Sequence, residues 1–327
     1  MKRREFIFLL VGAASVWPFK VYGQQPTSPV IGFLGGVTED KYAIRLDAFR
    51  QGLKDTGFVE GQNVTVEYRW AEGHNERLPS LAAELVQHHV AVIVAGGTPS
   101  ALAAKAATAT IPIVAATAVD PVEAGLVSSL NRPGGNLTGV SNLNVEMGPK
   151  RLELLRQLIP KASAIALLVN PANPGLAEPF ARSSGAAAGG LGLQLHILQA
   201  STEQDFEKAF ERVAQLRVDA VVIMPDVFFT SRSKQLAELS LRYRVPTIYQ
   251  YHTFAAAGGL ISYSSDENEY YRLVGVYTGR ILKGDKPADL PIQRSTKVEM
   301  IVNLKTARVF GITVPLDLIG RADEIIE

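Results

Sequence analysis

The side chains best placed to do chemistry gather at the ends of short apolar runs. Asp226 follows Ala220-Val221-Val222-Ile223-Met224-Pro225, and Asn170 and Asn173 follow Ala164 to Val169. Tyr249 closes Pro246-Thr247-Ile248, while Thr117 and Asp120 trail Ile113-Val114-Ala115-Ala116. Gly36 ends Val30 to Gly35, and Gly97-Thr98-Pro99-Ser100 ends Val90 to Gly96. An acidic group such as Asp226 or Asp120 can pair with an ammonium, and desolvation strengthens that pairing. Glycine at Gly36 and Gly97 lets backbone approach a bound group. A helix opening at Thr98-Pro99-Ser100 offers free N–H groups to an anion. The same residues also suit ordinary duties. Thr98 with Pro99 reads as an N-cap followed by the first helical position. Asp120-Pro121-Val122-Glu123 matches a capping box and predicts a helix over Glu123. Tyr249 and Tyr251 could wall an apolar group or simply pack.

Catalytic sets are harder to find. The five histidines, His74, His88, His89, His196 and His252, contain no pair with the spacing of a metal-binding helix motif. His88 and His89 are adjacent and point to different faces. No Gly-x-Ser-x-Gly elbow or Gly-x-x-x-x-Gly-Lys-Ser/Thr loop occurs, and Gly32 to Gly36 lacks the dinucleotide fingerprint. Zero cysteines exclude disulfides, thiolate metal sites and cysteine nucleophiles. No catalytic residue, metal or cofactor is therefore expected.

The elements that must position these groups alternate. Strands are predicted at Val30 to Leu34, Val64 to Trp70, Val90 to Ala95 and Ile113 to Ala116. Helices are predicted at 42–57, 75–88 and from Thr98 onward. The pattern restarts with a helix over 148–158, then strands at 164–169, 193–198, 220–224 and 246–249 with helices at 180–190, 203–216 and 231–243. The last third adds a strand at Leu260 to Tyr263, a helix at 267–282, an extended piece at 291–299, a strand at Met300 to Asn303 and a helix at 304–310. Uninterrupted apolar runs indicate strands buried on both faces, as in parallel sheets. Repeated strand-helix order gives an α/β fold of two Rossmann-like lobes. Their ligand sites belong at the carboxyl ends of the strands, where facing lobes would share one cleft.

The first residues read differently. Lys2, Arg3 and Arg4 precede an apolar run from Phe6 to Phe19, and Val21 and Gly23 suit a signal-peptidase site. The run is shorter than the roughly 20 residues a membrane span needs, so a cleavable leader over 1–23 is expected rather than a permanent anchor. Arg3-Arg4-Glu5-Phe6-Ile7 also fits the twin-arginine pattern, so the route is Tat or Sec. Without cysteine there is no lipid attachment, and the expected compartment is a periplasm. Cleavage takes Lys+Arg from 33 to 29 and Asp+Glu from 32 to 31, so the formal net charge moves from +1 to −2. A near-neutral chain has no electrostatic reason to bind nucleic acid.

Several strings together carry a family likeness. They are Arg3-Arg4-Glu5-Phe6-Ile7, Gly57-Phe58-Val59-Glu60-Gly61-Gln62-Asn63-Val64, Asp120-Pro121-Val122, and Asn131-Arg132-Pro133-Gly134-Gly135-Asn136-Leu137-Thr138-Gly139. Pro225 to Arg232, Ala257 to Tyr263, Asn303 to Ala307 and Arg321 to Glu327 complete the set. The chain resembles the ABC transporter substrate-binding proteins of the tryptophan/tyrosine type. The resemblance implies a type I periplasmic-binding-protein architecture with three hinge crossovers, placed near Gly139 to Asn144, Tyr251 to Ala257 and Pro291 to Lys297. One lobe then comprises 28–141 plus 256–288, the other 142–255 plus 289–327. Asn142, in the first crossover, joins the candidate ligand-binding set. The resemblance implies delivery of a small solute, an amino acid or aromatic or carboxylate compound, to an inner-membrane ABC permease, and a monomer is expected. An exported enzyme or a ligand-sensing domain on the same fold are the alternatives.

Overall fold

The structure, a computed structural model, describes residues 28–142 and 144–327. The leader predicted over 1–23 lies outside the described residues. Five strands with helices between them start the first lobe: β1 (Val30–Gly35), α1 (Glu39–Asp55), β2 (Thr65–Trp70), α2 (Leu78–Gln87), β3 (Val92–Ala95), α3 (Thr98–Ala107), β4 (Ile113–Thr117) and β5 (Leu137–Ser141). The second lobe continues with α4 (Gly148–Leu158), β6 (Ala164–Val169), α5 (Pro174–Gly190), β7 (Gln194–Gln199), α6 (Glu203–Leu216), β8 (Ala220–Ile223) and α7 (Val227–Thr230). After it come α8 (Ser233–Arg242), β9 (Thr247–Tyr249), α9 (His252–Ala256) and β10 (Ile261–Ser265). The remaining chain forms α10 (Glu267–Leu282), β11 (Gln293–Arg294), β12 (Val298–Asn303), α11 (Leu304–Val309), α12 (Leu316–Arg321) and β13 (Glu324–Ile326).

The strands assemble into two sheets, ordered β11-β5-β4-β3-β1-β2 and β13-β12-β10-β9-β8-β6-β7. Every pairing in the first sheet is parallel. In the second, only β10 with β12 is antiparallel. The central strands β3, β4, β6 and β8 are buried along nearly their whole length, because helices cover both faces. Strand order reverses between β1 and β3 in one sheet and between β6 and β8 in the other. These reversals are where helices leave to opposite faces and a crevice opens at the strand ends.

The chain passes between sheets after β5, after β10 and after β11. The middle passage differs from the one expected at Tyr251 to Ala257. There the residues form α9 and then β10, which pairs with β9 and β12, so 256–265 belongs with the second sheet. The crossing comes at Asp266, and α10 then packs on α1. Two glycines permit that packing: a Cβ on Gly52 would lie 1.9 Å from Arg272 O, and one on Gly275 would lie 2.1 Å from Phe49 O. The strand β11 within the expected third passage pairs with β5 of the first sheet.

The passages are laced together. Ser265 N donates to Asn144 Oδ1 at 3.3 Å, Ser295 N to Ser141 O at 2.9 Å, and Asp266 N to Lys297 O at 3.0 Å. Arg151 of α4 is wholly buried and donates to Asn144 O at 3.2 Å and Tyr263 O at 3.0 Å. Among the described residues no acid offsets its burial, which pulls the guanidinium pKa down to about 10.

Candidate functional site

The two reversal points face each other and enclose one cavity. Its outer part is lined from the first lobe by Gly36, Tyr42, Gly97, Pro99 and Ser100, and from the second by Asn170, Asn173, Asp226 and Phe228. It shares Gly96, Gly97, Pro99, Asn173, Asp226 and Val227 with an inner part that runs toward the crossovers. Thr98, Asn142, Gln250, Tyr251, Tyr270, Tyr271 and Arg45 line that inner part.

Asp226 sits at the junction of the two parts and is 4 % exposed. It caps α7, with Oδ1 accepting from Phe229 N at 3.2 Å. Asn170 Nδ2 donates to Oδ1 at 3.2 Å and Asn173 Nδ2 to Oδ2 at 3.0 Å. Burial pushes its carboxyl above the usual carboxylate range, and only these amides and the backbone N–H groups of Phe228 and Phe229 pull the other way. A carboxylate held by neutral donors, with no cation beside it among the described residues, is a site that a guest cation can satisfy.

Helix α3 aims its N-terminus at the same junction. Its N-cap is Gly97, in extended backbone, with no side-chain cap. Thr98 therefore does not cap its own helix. Its hydroxyl instead accepts from Ala118 N at 3.2 Å and ties α3 to the loop after β4.

The inner wall is aromatic. Tyr42 and Tyr271 both donate to Gly96 O, the latter at 3.1 Å, and Tyr270 donates to Thr117 O at 3.0 Å. Burial raises all three hydroxyls above their ordinary values, so they stay neutral donors that fix the loops after β3 and β4. Tyr251 takes φ +62°, unusual for a residue with a Cβ. Its N–H donates to Ser264 Oγ at 3.1 Å, and its hydroxyl accepts from Asn142 Nδ2 at 3.3 Å and Asn144 Nδ2 at 3.2 Å. That network sets the Tyr251 ring against Arg45, whose guanidinium carbon lies 5.8 Å from the ring centre.

Nine of the twelve residues singled out from sequence thus line one cavity: Gly36, Gly97, Thr98, Pro99, Ser100, Asn142, Asn170, Asn173 and Asp226. Three do not. Tyr249 is fully buried beneath it, its hydroxyl donating to Asp226 O at 3.1 Å. Thr117 is also buried, and only its backbone serves the site, accepting from Asn142 N at 3.0 Å. Asp120 borders a separate groove with Glu123, Glu146 and Glu178. Its carboxylate accepts from Val122 N at 2.7 Å and pairs with Arg294 at 3.4 Å, and 121–125 is a turn rather than the helix predicted there. Sequence reasoning missed Arg45, Tyr42, Tyr270 and Tyr271. All four lie inside amphipathic helices, where they read as surface or core.

Known proteins resemble this chain in sequence and in fold. The chain is 27% identical over 267 residues to the tyrosine-binding protein of Clostridioides difficile, covering 80% of this chain and 74% of that protein. It is similar to a conserved domain protein from Vibrio cholerae, with TM-score 0.83, 27% identity, and coverage of 91% and 99% of the two chains. It is also similar to an ABC domain from Streptococcus pneumonia in complex with L-Trp, with TM-score 0.81, 25% identity, and coverage of 92% and 100%. Residues 31–326 match the family described as ABC transporter substrate binding protein, and the chain belongs to that family.

Proposed function

We propose that the protein is the periplasmic receptor of an ABC importer for an aromatic L-amino acid, held between the lobes without chemical change. The observation that carries the reading is Asp226, a buried carboxylate at the meeting of both strand-order reversals with no cationic partner among the described residues. A ligand ammonium supplies the missing charge. The α3 N-terminus offers N–H groups to the ligand carboxylate. The tyrosine wall suits an aromatic side chain. The names of two relatives, a tyrosine-binding protein and a protein complexed with L-Trp, support the same ligand class.

In this reading residues 1–23 export the chain by the Tat or Sec route and are removed. The mature monomer closes on its ligand at the three crossovers, and the closed form docks on a permease. Among the described residues no helix is long and apolar enough to cross a membrane.

Calorimetric titration tests the reading. Tryptophan, tyrosine and phenylalanine are compared with their deaminated acids, such as indole-3-propionate. Binding of the amino acids, with loss for the deaminated compounds, is expected. Equal binding of both sets would remove Asp226 from the ligand's ammonium, and no binding by either set would remove the ligand class.

A further inference from the structure

We propose that the Tyr251 hydroxyl is a clasp across the first crossover, which holds the two lobes in contact and thereby sets ligand affinity. The effect on affinity rests on the reading of the cavity as an amino-acid site; the effect on lobe contact does not.

The clasp joins two residues anchored in different lobes. Asn142 is fixed to the first: its N–H donates to Thr117 O at 3.0 Å, extending the β4–β5 ladder. Asn144 is fixed to the second. Its carbonyl accepts from Arg151 Nη1 at 3.2 Å, its Oδ1 from Ser265 N of β10 at 3.3 Å, and its Nδ2 donates to Gln250 Oε1 at 3.1 Å. Tyr251, just after β9, takes both side-chain amides on one oxygen, from Asn142 at 3.3 Å and from Asn144 at 3.2 Å. All three residues are buried. Rotating one lobe against the other moves Asn142 relative to Asn144, so one oxygen can hold both only over a narrow range of lobe angles. Within that range the lobes touch. Val227 of α7 packs against the core of the first lobe, and a Cβ on Gly97 would lie 3.7 Å from Val227 Cγ2.

The clasp works against a strained backbone. Tyr251 takes φ +62° and ψ 148°, close to a region that essentially only glycine occupies, and such a conformation persists where contacts over-determine it. The bond from its N–H to Ser264 Oγ, the Arg45 guanidinium beside its ring and the two amides supply those contacts. Bonds across the crossover therefore oppose a strain that favours release, which makes a two-state element. Removing the hydroxyl deletes the bonds and leaves the strain, so the lobes part. The same network reaches the cavity: Gln250 Nε2 donates to Thr230 Oγ1 at 2.7 Å, and Thr230 donates to Asp226 O at 2.8 Å. Where ligand binds only the contact form, apparent Kd rises by the factor by which that population falls, and by the same factor for every ligand.

The test uses the mature chain, which has no cysteine. Spin labels at Lys41→Cys and Glu238→Cys, which line one surface groove from opposite lobes, report lobe separation. Without added ligand, the ratio of short to long distances is expected to fall about fivefold or more in Tyr251→Phe, the worth of one net hydrogen bond. Asn144→Ala, which removes the second-lobe amide and lines neither part of the cavity, is expected to act likewise. In titrations with tryptophan and with phenylalanine, Kd is expected to rise for both by the factor by which the short-distance fraction falls. Circular dichroism checks folding, and if one variant does not fold the other carries the test.

A wild type without short distances, or an unchanged distribution in a folded variant, overturns the clasp. Weaker binding with no parting of the lobes also overturns it and gives the hydroxyl to the ligand instead. Parted lobes with unchanged affinity overturn the link to binding. Failure of the wild type to bind any aromatic amino acid removes the ligand reading, and the distances still decide the clasp.

Discussion

Asp266 and Lys297 meet at 2.6 Å and join the second crossover to the third. Asp266 also caps α10, accepting from Asn268 N at 2.9 Å and Glu269 N at 3.1 Å. One carboxylate thus starts the helix that packs on α1 and closes the hinge seam. Against the raising effect of burial, Lys297 and these N–H groups hold its carboxyl below the usual carboxylate range.

That double duty predicts unequal costs for the two partners. Asp266→Ala loses a helix cap and should destabilise by roughly 1 kcal/mol in denaturant unfolding. Lys297→Ala, at an exposed site, should leave the midpoint nearly unchanged. The depressed Asp266 pKa gives the sign with pH. Its contribution is present above the unfolded value and disappears as pH falls through the lower folded value, so the stability gap between wild type and Asp266→Ala should narrow as pH falls below the ordinary carboxylate range.

The α1–α10 contact predicts a steric failure. At Gly275 even a methyl group would sit 2.1 Å from Phe49 O, a backbone atom that cannot step aside alone. Gly275→Ala should cost about 1–3 kcal/mol, although alanine is the better helix former, and Gly275→Val more. Thermal unfolding checks this. An unchanged midpoint would mean the helices separate freely.

Arg151 predicts a buried loss. Arg151→Ala deletes two hydrogen bonds, to Asn144 O in the first crossover and Tyr263 O in β10, and leaves a cavity in the second lobe. The expected cost is about 3 kcal/mol. A value below about 1 kcal/mol would show that the released burial of an unpaired charge offsets the lost bonds.

Asp226 predicts a pH-dependent affinity. A ligand ammonium binds its carboxylate form, so protons compete with the ligand, and affinity should be lost as pH falls through the Asp226 pKa. Because burial raises that pKa, the loss should begin at a higher pH than an exposed aspartate would give. Asp226→Asn should bind about tenfold to a hundredfold more weakly at neutral pH and lose the acid dependence. Titrations at a series of pH values decide it. An acid limb retained in the variant would assign it to another group.

Much of this architecture is local and therefore legible in the chain. Apolar runs such as Val92–Ala95 and Ala164–Val169 are long enough for strands, too uniformly apolar for a sheet with one wet face, and followed by helix openings. Strand-end placement alone singled out Asp226, Asn170, Asn173 and Gly97. The strand Leu137–Ser141 was not legible, because Gly139, Thr138 and Ser141 follow Arg132-Pro133-Gly134-Gly135 and read as loop. Its strand character comes from pairing with β4 and β11.

What only the tertiary structure decided is which ends meet. Strand order places the loops after β1 and β3 opposite those after β6 and β8, and it turns Asp120 out toward a separate groove. Arg45 and Glu267 stand 222 positions apart and become a buried pair only because α10 returns to the first lobe after β10 has paired in the second. Hydrophobic periodicity reports which face of an element is buried, since that depends on neighbours a few residues away. It carries no information about the partner across the interface, which is chosen by long-range packing such as the approach of Gly52 to α10.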